Sequence, residues 1–295
     1  MTRPGEHSGS GLLSSSVVSD SQVQSTDFDQ TLSPEEPARL ELDKVSVAYG
    51  QRQALCDISI HIPHGQCVAV VGPNGAGKST LFKALVGLLP VQSGTILIHG
   101  RPLGHHRDCV AYVPQRDEVD WGFPLTVRDV VVMGRYGRRG WLRGPTKTDR
   151  KAVDESLELM GITELAERPI GELSGGQQQR VFVARALAQN PHILLMDEPF
   201  TGVDAASRES ILRVLDQMHR QEVTVLISTH DLNLASSRFE HVLVLNKRVI
   251  AYGSPAEVFT PQTLHAAFGG QALMLGDHLV AVDQCCPPER GGMIQ

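Results

Sequence analysis

The sequence predicts an α/β fold: a mainly parallel sheet with helices on its faces, an antiparallel β subdomain ahead of it, and an inserted helical subdomain. Three observations predict it. Short apolar runs such as CVAVV (67–71), ILLM (193–196) and TVLIS (224–228) have the length and composition of strands buried on both faces. Strands and helical segments alternate between these runs to about residue 230, the order that builds a parallel sheet. The stretches RLELDKVSVAYG and ALCDISIHIP instead alternate apolar and polar residues, the pattern of paired antiparallel strands.

Taken in chain order, residues 1–38 are rich in Ser, Gln, Asp and Pro and lack the apolar content to offset the entropy of ordering, so a disordered extension is expected. The globular part then runs from 39 to 268. Tyr49 falls between the two early strands. The strand CVAVV leads into GPNGAGKST (72–80) and the apolar-periodic TLFKALVGLL. A helical texture fills about 116–172, where Thr126 and Asp129 are spaced as a capping box and Val153, Leu157 and Met160 share one helix face. The last residues, 269–295, are too few to form another core.

Composition bounds the function. The chain has 295 residues, 41% of them apolar, and a net charge of −6, which disfavours a general nucleic-acid binder. No apolar run approaches the roughly 18 residues that cross a bilayer, and the N-terminus lacks the form of a secretory signal, so a cytoplasmic chain with only a peripheral membrane role is expected. Cys56, Cys67 and Cys109 are far apart and read as buried small apolar residues. For Cys285 and Cys286, adjacent in the tail, a metal-sensing or redox reading stays open.

The chemistry concentrates in a few segments. Gly72, Pro73, Asn74, Gly75, Ala76, Gly77, Lys78, Ser79 and Thr80 satisfy the phosphate-loop pattern between a strand and a helix. In such a loop backbone N–H groups wrap the phosphates of ATP, the lysine reaches the β and γ oxygens, and the serine hydroxyl ligates Mg²⁺. Asp197 and Glu198 end a buried strand, where an α/β sheet presents ligands. Asp197 is a candidate to hold Mg²⁺ through water, and Glu198 to polarise the attacking water. Gln115 and His230 end YVPQ and TVLISTH, within reach of metal and γ-phosphate; taken singly, each also reads as a structural polar residue. Tyr49 can stack on adenine or be a half-buried turn residue. LSGGQQQR (173–180) is a second glycine turn opening a helix, again a place for an anion.

Together these segments resemble the ATP-binding-cassette family: GPNGAGKST as Walker A of its P-loop NTPase core, YVPQ as Q-loop, LSGGQQQR as signature, ILLMDEP as Walker B, TGVD as D-loop and ISTHD as H-loop, all in the family's order. The resemblance covers about residues 39–268. It implies a head-to-tail dimer of two copies, with each ATP between Walker A of one and Ser174, Gly175, Gly176 and Gln177 of the other, and with Asp204 in contact across the same interface. A finer similarity, carried by QRDEVDWGFPLTVRDVVVMGRYG and EPFTGVDAAS, is to the manganese, zinc and iron importer branch. It implies an integral membrane permease as partner, an extracytoplasmic metal-binding protein beyond it, and a place on the inner face of the cell membrane. Trp121 and Phe123 are then expected under a permease helix. RYGRRGWLRG (135–144) reads either as a surface near lipid headgroups or permease, or as a solvated loop. His105 and His106 read as solvated. Import of an iron chelate or cobalamin, and a soluble non-transport cassette ATPase, stand as alternatives.

Overall fold

The computed structural model describes residues 40–104, 109–116, 124–138 and 144–269, together with the backbone of 272–275 and 278–281. The expectations for the N-terminal extension, His105, His106, Trp121, Phe123, Cys285 and Cys286 lie outside the described residues.

Strands β1 (Leu40–Tyr49) and β2 (Arg52–Ile62) form an antiparallel pair, as the alternation of the sequence requires. With β4 (Ser93–Ile98) and β5 (Arg101–Pro102) they make a four-stranded sheet in the order β2-β1-β4-β5. Between β2 and β4 the chain enters the second sheet as β3 (Cys67–Val71) and turns into helix α1 (Lys78–Leu85). Strand β6 (Val110–Val113) follows, then α2 (Val127–Val132), α3 (Lys147–Leu159) and α4 (Gly175–Ala188). The second half contributes β7 (Ile193–Asp197), α5 (Ala205–Arg220), β8 (Thr224–Ser228) and α6 (Leu232–Arg238). It then adds β9 (His241–Leu245), β10 (Val249–Gly253), α7 (Pro255–Val258) and α8 (Pro261–Phe268). A hairpin of β11 (Ala272–Leu275) and β12 (His278–Ala281) closes the described chain.

The six-stranded sheet has the order β10-β9-β3-β8-β7-β6 and is parallel except at β10. It extends past residue 230, where the strand–helix alternation was expected to end, because HVLVL pairs with the free side of β3 and carries β10 with it. The continuous apolar runs have a direct cause: their alternate residues serve two cores. Cys67, Ala69, Val71, Leu194 and Met196 pack into the core beneath the helices. Val68, Val70, Ile193 and Leu195 join Leu40, Val45, Leu55, Ile58 and Phe82 in a second core under the antiparallel sheet. Each large side chain so buried contributes about 1.5–3 kcal/mol.

Helices α2 and α3 pack on α4, with Val153, Leu157 and Met160 all fully buried on the expected face. The capping box at Thr126 forms: Asp129 N donates to Thr126 Oγ1 at 3.2 Å, and Thr126 N donates to Asp129 Oδ2 at 3.0 Å. A second box, Thr146 with Asp149, opens α3. Two expectations are corrected. Cys56 and Cys109 are only part-buried, unlike Cys67, whose thiol burial pushes up to about 11. Arg135, in the arginine-rich 135–144 segment, is not at a lipid-facing or solvated surface: it is buried, donates to Asp149 at 2.9 Å and to Ala188 O at 2.8 Å, and so ties the chain after α2 to α3 and α4.

Candidate nucleotide site

Loop 72–77 leaves β3 at the end of a strand buried in the centre of the sheet, so its position is fixed by both cores. Gly77 adopts φ 100°, a left-handed conformation, and a Cβ there would sit 2.5 Å from Leu55 Cδ2. That backbone turns the chain into α1 and aims the first N–H groups of the helix at the cleft. Lys78 is buried and donates from Nζ to Gly72 O at 2.9 Å and to Pro73 O at 3.3 Å. The two carbonyls therefore hold the ammonium beside the loop that it is expected to serve.

The cleft over this loop has a volume of about 620 Å³. It brings together Tyr49, residues 74–80, Gln115, Glu198 and His230. Arg52, Gln53, Ala54 and Lys247, which the sequence reading did not single out, line it too. Lys247 N donates to Ala76 O at 2.8 Å, so the turn between β9 and β10 braces the loop from outside. Tyr49 is half exposed, with its hydroxyl 3.5 Å from Thr80 Oγ1.

Asp197 and Glu198 differ in environment despite being adjacent. Asp197 is wholly buried and does not line the cleft; it accepts from Ser228 Oγ, and from Tyr112 OH at 3.4 Å. Glu198 has φ 45°, which swings its side chain onto the cleft wall. Its N–H donates to Ser228 Oγ at 2.9 Å, and its Oε2 accepts from Thr201 Oγ1 at 3.1 Å. His230 Nδ1 lies 3.6 Å from the same Oε2, on a largely exposed ring. One serine thus fixes both acidic residues. The signal for it was present in the sequence only as a single hydroxyl at the end of TVLIS, whose parallel register places Ser228 opposite Asp197.

The second glycine turn is elsewhere. Ser174 caps α4, with Ser174 N donating to Gln177 Oε1 at 2.9 Å and Gln177 N donating to Ser174 Oγ at 3.4 Å. None of Ser174, Gly175, Gly176, Gln177 or Asp204 lines the Lys78 cleft of the same chain. Gly176 has to be glycine for a local reason: a Cβ would collide with Asp204 Oδ2 and Ser207 Oγ. Asp204 caps α5, and the Ser207 backbone N–H, followed by its hydroxyl, holds the Asp204 carboxyl below the usual range. The two carboxylate-and-glycine elements therefore pack on each other within one chain. Arg116, next to Gln115, donates to Gln178 Oε1 from Nε and a terminal nitrogen, both at 3.2 Å, and its guanidinium lies over Gly175. The strand end that carries Gln115 is thereby tied to the signature helix, a link invisible in the linear sequence.

The sequence profile of the ABC transporter family matches residues 55–201. The chain is 47% identical over 242 residues to the manganese transport system ATP-binding protein MntB of Bacillus subtilis, covering 82% of this chain and 97% of that protein. The chain belongs to the ABC transporter family. This ABC protein is also 47% identical to the zinc transport system ATP-binding protein TroB of Treponema pallidum, over 79% of this chain and 87% of that one. Among solved structures it is similar to a metal-chelate type ABC transporter in an inward-facing conformation, with a TM-score of 0.70 at 26% identity, covering 84% of this chain and 98% of that one. As an ABC ATPase it binds and hydrolyses ATP.

Proposed function

We propose that this chain is the ATPase subunit that drives import of a transition-metal ion, manganese foremost, with zinc and iron behind it, through a separate integral membrane permease. Support comes from the relatives: manganese transport is named for MntB of Bacillus subtilis, zinc transport for TroB, and chelated iron transport for YfeB of Yersinia pestis, 44% identical over 78% of this chain. The last favours import of an iron chelate as the second reading. Among the described residues no helix is long and apolar enough to cross a membrane, in keeping with a peripheral subunit on the inner face of the cell membrane. An extracytoplasmic metal-binding protein would deliver the ion to the permease.

The observation that carries the catalytic part is the cleft that gathers Lys78, Gln115, Glu198 and His230 while leaving the signature turn outside. In this reading loop 72–80 and Lys78 bind the phosphates of ATP, and Tyr49 stacks on the base. Glu198 takes the proton of the attacking water at its carboxylate, and His230 and Gln115 orient the γ-phosphate and the water. Ser79 and Gln115 on the cleft wall would offer oxygen donors to Mg²⁺, with Asp197 behind it holding the ion through water, and the bound ion would offset phosphate charge. Ser174, Gly175, Gly176 and Gln177 would close over the nucleotide of a second copy, with Asp204 beside them.

Uptake of radiolabelled manganese, zinc and iron by cells lacking this chain tests the transport reading. Manganese uptake is expected to fall and to be restored by the wild-type chain but not by Glu198→Gln. Uptake of all three ions at the normal rate would overturn it.

A further inference from the structure

We propose that His99, Cys109 and His192 form a binding site for a zinc-class transition-metal ion, separate from the nucleotide cleft. One ring nitrogen from each histidine and the cysteine sulfur all lie within 4.8 Å of one another. His99 Nε2 and His192 Nδ1 are 3.2 Å apart, close to the ~3.3 Å between two nitrogen ligands that each sit 2.0–2.1 Å from a tetrahedral ion. The Cys109 sulfur lies within 4.8 Å of both ring nitrogens, and His192, the most exposed of the three, leaves one side of the cluster open to solvent.

The backbone prepares the cluster. His99 and Gly100 make the two-residue turn between β4 and β5, with φ 52° and 71°, so the histidine occupies a left-handed position that asparagine or glycine commonly fills. Cys109 precedes β6 and His192 precedes β7, and His192 N donates to Cys109 O at 2.8 Å, which pins the two ligand-bearing residues side by side. Three donors, two imidazoles and a thiol, leave a fourth position for water and match the preference of zinc over manganese, which favours oxygen ligands. The site lies at the N-terminal ends of β6 and β7, whereas Gln115 and Glu198 follow their C-terminal ends, six residues on and roughly 20 Å away by strand rise. An ion there would tie the β4–β5 turn of the antiparallel sheet to the six-stranded sheet. This assignment stands on these three residues and does not depend on which ion the transporter moves.

Without metal, the same 3.2 Å contact is a hydrogen bond between the two rings, and the experiment separates the two. The full chain carrying Cys285→Ser and Cys286→Ser, so that tail thiols do not contribute, is prepared metal-free and titrated with zinc against a chromophoric chelator. One equivalent is expected to bind, with a rise in Tm. His99→Ala, Cys109→Ser and His192→Ala are each expected to weaken binding at least tenfold, while Cys56→Ser leaves it unchanged. Cobalt added to the parent chain should give a sulfur-to-metal charge-transfer band and intense tetrahedral d–d bands. Absence of that band overturns the proposal even if the variants fold poorly. Unchanged zinc affinity in folded Cys109→Ser, or manganese competing equally with zinc, would overturn it too.

Discussion

Glu198 owes its place in the cleft to a backbone conformation that a glutamate adopts only at a cost, φ 45°, and Ser228 offsets that cost by accepting from its N–H. Because the constraint is on the backbone, Glu198→Gln should keep the fold and ATP binding while slowing hydrolysis about 10²-fold or more, as expected for a lost general base. Single-turnover kinetics and nucleotide calorimetry check this, and near-normal turnover would remove Glu198 from that role. Ser228→Ala leaves a part-buried N–H and a buried carboxylate oxygen each short of a partner, at about 1–3 kcal/mol for the buried group, so a lower Tm and slower turnover are expected together. Thermal melts alongside ATPase assays test the pair. Lys78 was legible in the sequence because a glycine-rich loop between a strand and a helix is a recognisable pattern, and Glu198 and His230 because reactive side chains at strand ends stand out against apolar runs. Ser228 was not, because one hydroxyl in a strand carries no mark until the register of β7 and β8 is known. Nor was Cys109, expected to be a buried apolar residue, since its two histidines come from turns distant in sequence.

At the scale of elements, β3, β7 and β8 could be read directly, since strands buried on both faces must be apolar at every position. Strand β5, two residues long, has no periodicity to read. Helix α3 illustrates a polar start that a hydrophobic pattern does not reveal. The Thr146 hydroxyl, then its N–H, and then Arg135 hold the Asp149 carboxyl well below the ordinary range. A lowered folded-state pKa stabilises the helical layer above the unfolded value, near pH 4, and that contribution is lost as the pH falls through the lower folded value. Thr146→Ala should therefore destabilise the chain by about 1 kcal/mol at neutral pH, with the difference from wild type shrinking in acid. Denaturant melts in a series from pH 7 downwards measure both; the gap should hold near pH 4 and close only well below it, and a gap that never closes would contradict the role of the carboxylate.

For the whole molecule, the separation of the signature turn from the Lys78 cleft in a single chain motivates a mixing experiment. Chains carrying Lys78→Ala and chains carrying Ser174→Arg should each fail to trap ATP alone. Mixed, one of the two composite sites would pair an intact phosphate loop with an intact signature, and nucleotide labelled in its base should be retained, as the diphosphate, in the presence of vanadate. No retention in any mixture would mean that each signature serves its own chain. The same separation has a kinetic consequence. If a competent site needs two encounters of the same polypeptide, then at protein concentrations below the dimerisation constant the hydrolysis rate should grow as the square of the amount of protein, and dilution should lower the activity per milligram. Residence on a two-fold permease would abolish that dependence, since neighbours on one scaffold meet at a fixed effective concentration. A cell could then keep unassembled copies idle without any inhibitor.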